Sequence, residues 1–146
     1  VGSFYQSDID ISLIEDKITF YGTKKTDFFP EFYSKMDIIL SPNIPFTLSP
    51  GAFDGFPTGC CVEAAFSEVA VFCTDILNQN ILFKDREDIV LISTNADEIA
   101  ETILYFYSRV EELYCISRNG KKIFSEIFSL ENQMQPRLKI IENLLK

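Results

Sequence analysis

Histidine is absent from this 146-residue chain, so neither a Ser-His-Asp triad nor a Cys-His pair can be assembled from it. Cations are scarce: 13 Lys and Arg stand against 22 Asp and Glu, a formal net charge of −9, and nowhere do they gather into a run. That distribution argues against nucleic-acid binding and against a polybasic membrane-surface segment. No apolar stretch is long enough to span a bilayer, and the opening residues lack the pattern of a secretory signal. The expected location is cytoplasmic, with attachment at the inner face of a membrane left open. The four cysteines, Cys60, Cys61, Cys73 and Cys115, follow neither zinc-ligand spacing nor a secreted disulfide framework. They read as small reduced residues packed on a helix and a strand, and no metal or cofactor is expected.

With 47% hydrophobic residues the chain has the size and composition of one domain able to bury a core. Its organising stretch is residues 53–65. Gly55, Pro57 and Gly59 make a loop that ends in the small residues Cys60, Cys61, Ala64 and Ala65, expected to begin a helix. An apolar strand is expected before it at 37–40 and another after it at 69–74. In a strand, glycine-rich loop, helix, strand unit, the helix N-terminus lies at the carboxyl edge of a parallel sheet. Unpaired N–H groups and the helix dipole there favour an anion, and a phosphate is the natural guest.

Elsewhere, residues 1–16 read as a short helix or an irregular leader and 17–21 as a buried strand ending at Gly22. A helix is expected from 28 to 36 with Asp27 as N-cap, Phe28, Phe32 and Met36 facing the sheet. Residues 41–57 hold Pro42, Pro45, Pro50 and Pro57, a density that makes the loop a semi-rigid wall beside a ligand site. Asp75 is expected to cap a short helix, 89–92 to form the last strand, and Asn95 to cap a long helix carrying Ile99, Ile103, Phe106, Val110 and Leu113. Residues 118–122 weaken or interrupt that helix. A final amphipathic helix at 129–146 contains Pro136, so it is expected to kink or start late. No internal repeat or low-complexity segment is present.

The order Ile-Thr-Phe-Tyr-Gly (18–22), Phe-Tyr-Ser-Lys-Met-Asp-Ile-Ile-Leu-Ser-Pro (32–42), Asp-Gly-Phe-Pro-Thr-Gly (54–59), Glu-Ala-Ala (63–65) and Val-Ala-Val-Phe-Cys-Thr-Asp (69–75) resembles the nucleotide-binding C-terminal domain of retaining glycosyltransferases of GT-B fold, group 1 type. The resemblance covers most of the chain. It implies an α/β fold, a Rossmann-like parallel sheet flanked by helices, and a single partial donor-binding domain of leader (1–16), body (17–128) and C-terminal helix (129–146). It also implies that the chain is a piece of a longer protein, lacking the family's first two strands. In the order 3-2-1-4-5-6 those would separate 18–21 from 37–40, so either the remaining strands close up or a partner fills the gap. The family's two glutamates are separated by seven residues, which from Glu63 would put the first at position 55; Gly55 stands there, and the nearest acid, Asp54, is nine positions from Glu63.

The resemblance further implies a role for each site residue. Glu63 would accept hydrogen bonds from the donor's ribose hydroxyls, and Gly59, Cys60 and Cys61 would offer backbone N–H groups to a diphosphate. Asp54 would take the catalytic place near the transferred sugar; Gly55, Phe56, Thr58 and Gly22 complete the donor site, with Ser49 and Lys24 as weaker candidates. The substrate is a nucleotide-diphosphate sugar and the acceptor a glycan or lipid-linked molecule held by an absent N-terminal domain, as in polysaccharide biosynthesis. By itself the chain is expected to be inactive. Each acid also has a structural reading: Glu63 as a dipole-complementing residue, Asp54 as part of an Asp-Gly turn. Two alternatives stand beside this reading: a non-catalytic Rossmann-type binding or regulatory domain, and, more weakly, a receiver-like signalling domain lacking its acidic cluster.

Overall fold

The fold is described by a computed structural model covering residues 10–47 and 49–145. Among the described residues, three parallel strands form one sheet in the order β1 (Ile38–Ser41), β2 (Ala70–Cys73), β3 (Val90–Leu91), with Ile38 opposite Ala70 and Phe72 opposite Val90. The middle strand, Ala-Val-Phe-Cys, is almost wholly buried. A parallel strand covered on both faces needs an uninterrupted apolar run, and this one has it.

Side chains alternate across a strand, so β2 feeds two cores. Ala70 and Phe72 join Val90, Ile99, Phe106, Leu113 and Ile116 on one face. Val71 and Cys73 join Cys61, Ala65, Phe83, Ile89 and Phe124 on the other. A third cluster sets Tyr33, Ala64 and Val69 against Phe29, Phe32 and Met36.

The helices are α1 (Phe29–Tyr33), α2 (Gly59–Phe66), α3 (Ala96–Tyr107), α4 (Val110–Ile127) and α5 (Leu130–Leu144). As expected, Asn95 caps α3, its side chain accepting from the amides of Asp97 and Glu98 at 2.8 and 3.2 Å. The single long helix read from the sequence is two. It breaks at Ser108 and Arg109, where Arg109 leaves helical geometry at φ −136°, ψ 55°. The expected interruption at 118–122 does not occur. There Gly120 sits against the backbone of Asp88, 2.6 Å separating the Asp88 oxygen from where a Cβ would lie, and Asn119 donates to Glu87 O at 3.1 Å. The glycine is a contact point for α4, so the helix runs through it. Pro136 lies inside α5, which begins at Leu130 with Ser129 accepting from the Asn132 amide.

Other expectations are corrected. Residues 18–21 belong to no sheet: a lone extended segment gains no ladder without a neighbour, and among the described residues β1 pairs only with β2. Asp75 caps a turn in place of a helix, accepting from the amides of Gln79 and Asn80 at 2.8 and 3.0 Å. The helix expected at 28–36 is shorter, a 3-10 turn at Thr26–Phe28 followed by α1, and Asp27 does not cap it. Phe28 stacks on Phe32 at 5.3 Å between ring centres. Residues 1–9 of the expected leader lie outside the described residues, and 10–16 form turns leading into the 3-10 turn Glu15–Lys17.

Candidate functional site

The loop after β1 and the loop after β2 meet at the carboxyl edge of the sheet. Thr74, just past β2, donates its hydroxyl to Asn43 O at 2.6 Å and its amide to Ser41 O at 3.3 Å, tying the two loops together. The proline-bearing loop is braced by a bond from the Phe46 amide to Ala52 O at 2.8 Å. Two of its residues, Gly51 and Gly55, take φ +81° and +87°, a region where a Cβ is disfavoured. Among the described residues the buried Asn43 side-chain nitrogen has no hydrogen-bond partner. Asn43 lines a small cavity of about 40 Å³ with Ile44, Pro45, Thr47, Phe53 and Asp54.

At the start of α2, Thr58 stands in the N-cap position but its hydroxyl does not cap the helix backbone. Instead it lies 3.3 Å from Ser41 Oγ, 3.1 Å from Cys60 Sγ and 3.2 Å from Cys61 Sγ. The Cys61 and Val62 amides donate to Thr58 O at 3.0 and 3.2 Å. Of the three amides assigned to a diphosphate, that of Cys61 is therefore already engaged. Its side chain is buried in the core beside Ala65 and Phe124.

Cys60 is exposed, and its thiol is pulled down to about 6, first by the hydrogen bond from Cys61, then by Thr58 and by the backbone amides of Cys61 and Cys60. The same bond and burial push Cys61 up, and burial pushes Cys73 up to about 12. The signal for a special thiol in the sequence was the Thr-Gly-Cys-Cys order at a helix start, which packing considerations alone had absorbed.

Glu63 lies one turn into α2, exposed, on the wall of a cavity of about 480 Å³ whose lining includes Phe29, Phe32, Met36, Leu40 and Cys60. Asp54 is exposed in the small Asn43 cavity, so the two acids line separate spaces. Phe56 turns away from both: its ring meets Phe83 edge-on at 6.4 Å, and it lines a third cavity with Ile81 and Phe128. Gly59 is exposed with nothing within 4 Å of where a Cβ would lie. Gly22, at φ +65°, lines none of these cavities, and its neighbour Tyr21 packs its ring on Phe32 at 5.2 Å. Lys24 sits over the Phe28 ring at 5.3 Å, and Ser49 is exposed, its carbonyl accepting from the Ala52 amide at 3.0 Å. Among the described residues no three His, Cys, Asp or Glu side chains are grouped to hold a metal ion, and no helix is long and apolar enough to cross a membrane.

No protein-family model matches the chain, and no curated protein matches it. Among solved structures it is similar to the C-terminal domain of a group 1 family glycosyl transferase, LpcC, from Francisella tularensis. The TM-score is 0.57 at 22% identity, over 77% of this chain and 53% of that one. The chain spans about half the length of that solved domain. At this identity the likeness is one of fold: three parallel strands flanked by helices, as in a Rossmann-like GT-B C-terminal domain.

Proposed function

We propose that the chain is the donor-binding portion of a glycosyltransferase that moves a sugar from a nucleotide-diphosphate sugar to a glycan or lipid-linked acceptor. The observation that carries this reading is the juxtaposition of the uncapped α2 N-terminus with Glu63 on the wall of a 480 Å³ cavity, both at the carboxyl edge of a parallel sheet. Helix N-termini at that edge suit phosphate oxygens, and a carboxylate one turn on suits vicinal hydroxyls. The fold it shares with the LpcC domain supports the same assignment.

In this reading the Gly59 and Cys60 amides face the diphosphate, and Glu63 takes the ribose. Transfer asks the protein for positioning and for stabilisation of charge on the departing diphosphate, which fixed N–H groups supply. Asp54, in a separate cavity, reaches the transferred sugar only if the 41–57 loop moves. That separation favours a second reading, a Rossmann-type binding domain without catalysis.

Ligand-observed NMR with UDP, GDP and their sugar conjugates, on the chain and on Glu63→Ala, is the test. Saturable binding that the substitution abolishes supports the assignment. Binding indifferent to Glu63, or no binding by any nucleotide diphosphate, overturns it for this chain.

A further inference from the structure

Helix α5 is fastened at one end. Its first turn is tied to the end of α4, Asn132 donating to Glu126 O and Gln133 to Ile127 O at 2.9 Å, and no residue of the helix is buried. Its sequence nevertheless carries an apolar stripe. Met134, Leu138, Ile141 and Leu145 recur at intervals of four, three and four residues and remain 36%, 44%, 52% and 82% exposed. That is the a and d spacing of a heptad, the seam along which two helices pack. With Met134 and Ile141 at d, and Leu138 and Leu145 at a, the flanking line g holds Leu130, Arg137 and Leu144. The other flank, e, holds Gln135 and Glu142, and Pro136 falls at f, away from the seam.

The two charged flanking residues have no use within the chain. Arg137 and Glu142 are exposed and make no ion pair among the described residues. Five positions apart, they cannot meet on one helix, where neighbours are three and four apart. Five is, however, the offset at which g of one helix meets e of a parallel partner in register. In an antiparallel pair g faces g and e faces e, which gives Arg137 no acid to meet.

We infer that α5 is a self-association helix, whose stripe takes the α5 of a second copy of this chain, parallel and in register, each Arg137 facing the partner's Glu142. Self-complementary flanks need only an identical helix. Between residues 130 and 144 two acids stand against two bases, so the arm carries none of the chain's net negative charge. Arg137 shares its line with Leu130 and Leu144, so a bilayer surface covering the stripe would bury an unpaired guanidinium, whereas a second α5 offers it a carboxylate. Pro136 faces solvent on the outer side, where water can serve the carbonyl left without its N–H. The seam is short, about 22 Å of helix, so the dimer is a weak one that forms at high protein concentration. The inference is independent of what binds at the carboxyl edge of the sheet.

The test is sedimentation equilibrium of the 146-residue chain in reductant and about 0.15 M salt, over a hundredfold range of concentration reaching about 1 mM, with circular dichroism to check each variant. Because α5 buries nothing, substitutions on it leave the body folded. The parent is expected to show a monomer–dimer equilibrium, and Leu138→Glu with Ile141→Glu to abolish it. Arg137→Glu or Glu142→Arg alone sets two like-charge pairs across the seam and should weaken association by about fivefold or more. The double variant exchanges the signs and should return association to within about twofold of the parent. A mixture of the two single variants should prefer the heterodimer. Three results overturn the inference: a monomer throughout, which leaves the stripe to a different partner; a dimer indifferent to Leu138 and Ile141, which lies on another face; or single variants that the double does not rescue, which excludes the parallel register.

Discussion

Replacing Gly120 by alanine sets two effects of opposite sign against each other. In the interior of a helix such as α4, alanine is favoured over glycine by about 0.8–1.0 kcal/mol. Propensity alone therefore predicts a more stable protein. The new Cβ, however, falls 2.6 Å from the carbonyl oxygen of Asp88, closer than carbon and oxygen approach without displacement. The neighbour is backbone, held in a turn where the Glu87 and Asp88 amides donate to Lys84 O at 3.1 and 3.0 Å, and cannot swing aside as a side-chain tip would. Overpacking of this kind costs about 1–3 kcal/mol, and moving α4 outward also stretches the 3.1 Å bond from Asn119 to Glu87 O. The expected net effect is a loss of up to about 2 kcal/mol, lowering the thermal midpoint by up to about 6 °C for a chain of this size. Urea unfolding followed by circular dichroism reads it directly. Gly59→Ala, where nothing lies within 4 Å, is the control and is expected to stay within about 0.5 kcal/mol of the parent. A Gly120→Ala protein more stable than the parent would refute the close contact.

Three further outcomes are expected. Cys60 should react with iodoacetamide along a pH curve with a midpoint near 6, and Cys61→Ala should move that midpoint upward, because the Cys61 hydrogen bond is the largest cause of the shift; peptide mapping by mass spectrometry locates the label, and an unmoved midpoint in the variant rejects the cause. Asn95→Ala removes the acceptor for two α3 amides and should cost about 1 kcal/mol in urea unfolding; a change near zero would mean that water replaces the cap. Burial pushes both Tyr33 and Cys73 up to about 12 in the folded chain. Their unfolded values are ordinary, near 10 and 9, so the unfolded chain releases protons first, and stability present below pH 9 should fall steadily as pH rises toward 12. Urea midpoints at pH 8 and 10.5 measure this, and equal midpoints would contradict it.

Much of this architecture was legible because local pattern and burial coincide. The apolar run at 69–74 is a strand buried on both faces, and Asn95 with acids behind it is a cap in the sequence and in the fold. The small residues after Gly59 pack as α2 against the sheet, which is why Glu63 could be placed one turn in. The errors fall where pattern is blind to partners. Residues 18–21 have the composition of a strand, but pairing requires a neighbour that the described residues do not provide. The apolar spacing Ile99, Ile103, Phe106, Val110, Leu113 continues across Ser108 and Arg109 as if nothing happened there, so periodicity could not show the break. At 118–122 the fault was the reverse: glycine read as weakness is a site of close approach to Asp88. The site was less visible still. Strand–loop–helix order located its backbone, but the sharing of one threonine hydroxyl by two sulfurs is a matter of side-chain direction, and no spacing rule reports it.

Helix α4 touches both faces of the sheet. Leu113 and Ile116 belong to the core shared with α3, and Phe124, two turns further on, to the core shared with α2. Neither layer can loosen without withdrawing support from the other, since the same rod of backbone is a wall of each. The three-stranded sheet is therefore expected to melt as one cooperative unit, and the slowest-exchanging amides of α4 should report global opening and not the fraying of either layer.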